Sequence, residues 1–128
     1  MREYGRLLGL AFQIADDVLD YTGSEDEVGK PIGHDLVEGF TTLPLMAAMQ
    51  DEKVMSRARS ILVDGRVLTI DEAQQVVALV RSSAGPPLAL ERAQEFASAA
   101  ARELGSIPTG AAADALAALT NYVVTRKF

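Results

Sequence analysis

The stretch Leu7 to Asp20, LLGLAFQIADDVLD, restricts the possible folds of this chain more than any other. Its period is helical and it is apolar on most sides, yet it carries Asp16, Asp17 and Asp20 in what should be its last turn. At about 100° per residue, with Asp16 set at zero, Asp20 falls at about 40° and Asp17 at about 100°. On the same wheel Gly9 falls at about 20° and Gln13 at about 60°. Leu7, Leu10, Ala11, Ile14, Ala15, Val18 and Leu19 take the remaining arc. A narrow acidic stripe therefore runs down a helix whose other sides call for burial.

That stripe is costly. Asp16 and Asp20 stand at i,i+4, where like charges repel by roughly 0.2–0.5 kcal/mol. All three carboxylates also lie at the negative end of the helix macrodipole, which prefers cations. No Lys or Arg lies between Arg6 and Lys30 to offset this. A hard divalent cation with oxygen ligands would do so. The plain alternative is a solvated polar face on a surface helix. The width of the apolar arc favours the metal site. So do Gly5 and Gly9 on the acidic side, which leave room for a ligand against the backbone.

Composition narrows the function classes. The 128 residues, 48% of them hydrophobic, suit a single helical domain over 1–128 with a core of its own. A net charge of −6 argues against a nucleic-acid partner, which needs a basic patch. Zero cysteines exclude disulfides and thiolate metal sites and fit a reducing compartment. No apolar run reaches the ~18 residues of a membrane span, and the first residues, MREYG, lack the apolar core of a signal peptide. A cytoplasmic location is the resulting expectation.

The remaining pattern is helical. The first helix starts almost at Met1 without a capping residue, an abruptness that suggests a chain beginning where a longer protein would already be folded. It should run to about Tyr21 and stop at Gly23. From about Thr22 to Thr41 no period is sustained, and Gly23, Gly29, Gly33, Gly39 and Pro31 punctuate the segment. Loops of about twenty residues are usually lids or binding segments, and Lys30, His34 and Asp35 give this one chemistry. A short apolar helix follows from about Thr42, with Pro44 in its first turn. Glu52 to Val63 is amphipathic and ends near Asp64 and Gly65. Asp71 can cap a helix carrying Ala73, Val76, Val77 and Val80. Pro86 and Pro87 introduce a helix with Leu88, Leu90, Ala93, Phe96, Ala97, Ala100 and Leu104 on its buried side. The last helix runs from about Ala111 to Arg126. No alternating strand is convincing. His34, the single histidine, has no cysteine or second histidine for a zinc site, and no Ser/His/Asp or Cys/His set supports acyl transfer.

An aspartate triad of this kind does not fill the coordination of Mg²⁺, which keeps waters and takes further ligands from substrate phosphates. The natural partner of Asp16, Asp17 and Asp20 is therefore a metal–diphosphate complex, with Lys30 a suitable point-charge contact to it.

Taken together, GLAFQI at 9–14, DDVLD at 16–20, GKPIGHDL at 29–36, Glu38-Gly39 and TTLP at 41–44 closely resemble the second aspartate-rich region of the trans-polyprenyl diphosphate synthases. The helical remainder, ending in YVVTR, resembles the C-terminal part of that family. The resemblance implies an all-α fold, an antiparallel helix bundle forming the C-terminal portion of the isoprenoid synthase fold. It also implies Mg²⁺ as cofactor and an allylic diphosphate as substrate in head-to-tail condensation with isopentenyl diphosphate. Asp16 would be the direct metal ligand, with Asp17 and Asp20 acting partly through metal-bound water. Lys30 would contact the diphosphate, and Gln13 and Phe12 would line the cavity. No catalytic residue separate from the metal site is implied.

Two departures qualify it. The family has an earlier DDxxD on a facing helix and N-terminal basic residues for isopentenyl diphosphate; this sequence has neither. Phe40 stands where the family usually carries Lys after Glu-Gly, and a phenyl ring cannot neutralise phosphate. The expectation is a chain inactive or nearly so alone, engaging isopentenyl diphosphate only if the missing half is supplied. A half bundle should expose apolar surface and so form a homo-oligomer or join a complementary subunit. The rival expectation is a non-catalytic structural or regulatory subunit of a prenyltransferase complex.

Overall fold

The computed structural model describes residues 1–29, 31–63 and 66–126, apart from the side chains of Glu27 and Val28. Among the described residues all regular structure is helical. The elements are α1 (Arg2–Thr22), α2 (Glu25–Val28), α3 (His34–Val37), α4 (Leu43–Ala48), α5 (Glu52–Ile61), α6 (Ile70–Arg81), α7 (Gly85–Glu103), a 3₁₀ turn (Leu104–Ser106) and α8 (Ala111–Thr125). The fold is all-α, as the periodicity implies. No described helix is long and apolar enough to cross a membrane.

The residues gather into two compact units. One comprises Met1–Asp16 with the chain from Leu90 onward; the other is Asp17–Ala89. In the first unit, Tyr4 and Leu7 of α1 pack with Ala100 of α7, and Ala11 packs with Ala97 and with Val123 of α8. The Tyr4 hydroxyl donates to the Leu116 carbonyl at 2.9 Å, which satisfies the polar end of a buried aromatic ring. Alanines fill much of this core because their small side chains let helix backbones approach closely. The expected face of α7 holds except at Leu88. Ala93, Ala97 and Ala100 are buried and Phe96 and Leu104 pack against them, whereas Leu88 is exposed and its neighbour Ala89 is buried.

The second unit is built around α6. Ala73, Val76, Val77 and Val80 present one buried face at helical spacing, and Tyr21, Leu36, Leu45, Ala48 and Leu68 pack with it. The cap of α6 is Thr69 rather than Asp71. Its hydroxyl accepts from Glu72 N–H at 3.2 Å, and the Glu72 carboxylate accepts from Thr69 N–H at 2.9 Å, a reciprocal capping box. Gly85, which opens α7, fits a tight contact: a Cβ there would run into the Pro44 carbonyl and lie 2.7 Å from Ala48 Cβ.

The segment expected as an irregular loop holds two four-residue helices, α2 and α3. Each is about one turn, too short for a 3.6-residue period to register. Gly33 stands before α3 at φ 78°, a left-handed position that suits glycine.

Candidate functional site

The acidic stripe lies on one continuous helix, and burial divides it. Asp16 and Asp17 are half-buried, whereas Asp20 has no solvent-exposed surface. Asp20 is the anchor of the segment that follows. Its Oδ2 accepts the Asp35 N–H at 3.1 Å, and its backbone carbonyl accepts the Gly33 N–H at 3.0 Å. The GKPIGHDL stretch is thus tied to the end of α1 at the position of the third aspartate. Lys30, within that stretch, lies outside the described residues.

The side of α1 that carries Asp16 is open. Phe12 and Gln13 are exposed, and a Cβ added at Gly5 or Gly9 would meet nothing within 4 Å. Those glycines leave room along the helix, as their place on the wheel suggests.

Two arginines that sequence reasoning missed answer the electrostatic problem of the stripe. The Arg126 guanidinium reaches Asp16 Oδ1 at 3.4 Å and lies 4.0 Å from the centroid of the Phe12 ring. Arg81 donates to the carbonyls of Thr22 and Gly23 at 3.0 and 2.7 Å, placing a cation on the C-terminal end of α1 where the macrodipole favours one. The lack of a basic residue between Arg6 and Lys30 is therefore made good from far along the chain. No local pattern marks either arginine.

Other expected features take ordinary places. His34 pairs with Glu38 one turn on, Nε2 to Oε1 at 3.2 Å, with both side chains well exposed. Phe40 is exposed and lines a groove of about 390 Å³ with Val37, Leu62, Val67 and Arg66. Tyr21 follows Asp20 into the core. Burial pushes its phenol well above its ordinary pKa, the Thr42 hydroxyl opposes that shift, and the negative charges of Asp20, Asp35 and Asp17 reinforce it.

Carboxylate oxygens are the right donors for a hard cation, and Asp16 and Asp17 are open enough to offer them. They fit such an ion in kind and as part of a ligand set. Among the described residues no three acidic or imidazole side chains converge to hold one.

Residues 1–80 match the family model described as polyprenyl synthetase. Component 2 of the heptaprenyl diphosphate synthase of Bacillus subtilis is 29% identical over 125 residues, covering 98% of this chain and 35% of the relative. The heptaprenyl diphosphate synthase of Staphylococcus aureus superposes with a TM-score of 0.86 at 28% identity, covering 98% of this chain and 39% of that one. A polyprenyl synthase of Caulobacter crescentus, solved with calcium and isoprenyl diphosphate, does so with a TM-score of 0.82 at 33% identity, covering 99% of this chain and 39% of that one. The chain thus spans about a third of the length of the curated relatives it matches. With more than half of its residues inside the family model and an all-α structure like those of solved synthases, the chain belongs to the polyprenyl synthetase family.

Proposed function

We propose that these 128 residues form the part of a prenyl diphosphate synthase that presents its second aspartate-rich motif. The reaction served is head-to-tail condensation of an allylic diphosphate with isopentenyl diphosphate. The observation that carries this reading is the tie between the acidic helix and the GKPIGHDL stretch through Asp20. It couples the segment bearing Lys30 to the helix bearing Asp16 and Asp17. The calcium and isoprenyl diphosphate bound by the Caulobacter crescentus synthase support the ligand class.

In this reading Asp16 and Asp17 would hold Mg²⁺, Asp16 directly. When bound, the metal would neutralise charge gathering on a departing diphosphate. Asp20 acts mainly through the segment it holds. Lys30 adds a cation to the phosphate, and Phe12 and Gln13 line the open side of α1. The 128 residues alone turn over little or nothing, because the facing acidic motif must come from another part of a longer protein or from a second chain.

A second reading, a non-catalytic subunit, is favoured by Phe40, which puts a ring where the family usually carries a lysine. The Bacillus subtilis relative is named as one component of a synthase, which supports a complementary subunit under either reading.

Thermal unfolding with Mg²⁺, with and without farnesyl diphosphate, tests the proposal. Ligand at tenfold excess over Kd should raise the midpoint by about 4 °C, and Asp16→Ala should abolish the shift. An unchanged midpoint, or the same shift in the variant, counts against a diphosphate site.

A further inference from the structure

Asp16 already has a cation. Arg126 follows α8 immediately, 110 positions after Asp16, and its side chain is only 5% exposed. Phe12 and Asp16 stand at i,i+4 on α1, so one helix face presents an aromatic ring and a carboxylate one turn apart. A planar guanidinium suits that pair: it lies over the ring, and its Nη2 reaches the carboxylate. Lysine could answer the charge but would stack less well. Asp16 is meanwhile 42% exposed, so a second cation can approach the carboxylate that Arg126 already faces. Two cations on one carboxylate repel each other, and a divalent ion is the stronger competitor.

We propose that Arg126 is the resident counter-cation of Asp16 and that a divalent cation binding Asp16 displaces it. The seating of the C-terminal residues is thereby coupled to the charge on the acidic stripe. Arg126 and Phe12 are positioning residues: the ring fixes where the guanidinium sits, and the guanidinium orients and screens the carboxylate. This inference rests on the metal role proposed above for Asp16.

The test follows the Arg126 Nε–H resonance by NMR in the full chain during Mg²⁺ titration, with metal affinity measured by calorimetry. Mg²⁺ should move the wild-type resonance toward the position it holds in Asp16→Asn without metal, and that variant should not respond to metal. Arg126→Gln should bind Mg²⁺ roughly two- to fivefold more tightly, the range expected for losing an ion pair with one open partner. Arg126→Lys, which keeps the charge, should stay near wild type. If Arg126→Gln fails to fold, Asp16→Asn and Arg126→Lys decide the matter. An Arg126 resonance insensitive to Asp16→Asn overturns the inference. So does Mg²⁺ binding that leaves the resonance unmoved, and the proposed function survives that result. Failure of the wild-type chain to bind Mg²⁺ overturns the metal role of Asp16, and this inference falls with it.

Discussion

Asp20 separates the structural part of the acidic stripe from its open part. With no exposed surface and the Asp35 N–H on its Oδ2, it acts as a buried acceptor for a segment that follows it in the chain. Asp20→Ala would strand that N–H in the interior. A loss of about 1–3 kcal/mol in urea unfolding is expected, with a smaller loss for Asp20→Asn, which keeps an acceptor oxygen. Tyr21 gives the same region a pH signature. Burial raises its phenol pKa in the folded chain, so the unfolded chain releases its proton first, near the ordinary value of about 10. Stability is therefore complete below that pH and falls as pH rises above it, by at most about 1.4 kcal/mol per unit. Urea midpoints between neutral and strongly alkaline pH check this, and Tyr21→Phe should remove the slope. In the sequence Asp16, Asp17 and Asp20 look like three equivalent acids on one helix face. Their burial depends on what folds against them, which a helical wheel does not contain.

Helices whose ends carry local chemistry were the more legible elements. Thr69 and Glu72 form a reciprocal cap for α6, and their T-x-x-E spacing is visible in the sequence, although Asp71 is the more obvious capping residue to the eye. Thr69→Ala should cost about 1 kcal/mol, within the ~0.5–2 kcal/mol range of cap deletions, read as a lower urea midpoint with unchanged slope. Asp51 caps α5 in the same local way, accepting from Lys53 N–H and Val54 N–H. One position of α7 is harder to read. Hydrophobicity puts Leu88 inward, but it is exposed and the neighbouring Ala89 is buried, while Ala93, Phe96, Ala97 and Ala100 face the core as their spacing implies. Helices α2 and α3 left no periodic trace because each is a single turn. The placement of α3 follows from the Asp20 bonds and the left-handed turn at Gly33.

The chain taken whole carries large apolar side chains on the outside of both units. Phe12 and Tyr122 are exposed in one, and Phe40, Val63, Val67 and Ile70 in the other. Phe40, Val63 and Val67 share one groove, and contiguous apolar surface marks a partner site. Sedimentation over a wide concentration range should show self-association, or a stable complex with a chain carrying the facing acidic motif. A monomer indifferent to both would count against the subunit arrangement. Assayed alone with farnesyl and isopentenyl diphosphates, the chain should give product at or near background, and adding the facing motif in trans should raise it.

The helical class, the acidic stripe, the glycine-punctuated segment after it and the family resemblance were all legible in the residues, because each is written in neighbours within a few turns. Three features were not: the burial of Asp20, the arrival of Arg126 at Asp16, and the seating of Arg81 on the end of α1. They join residues 15, 110 and 59 positions apart. Period and spacing describe one helix at a time. Which carboxylate stays open and which cation meets it is set by chain segments that come together only on folding.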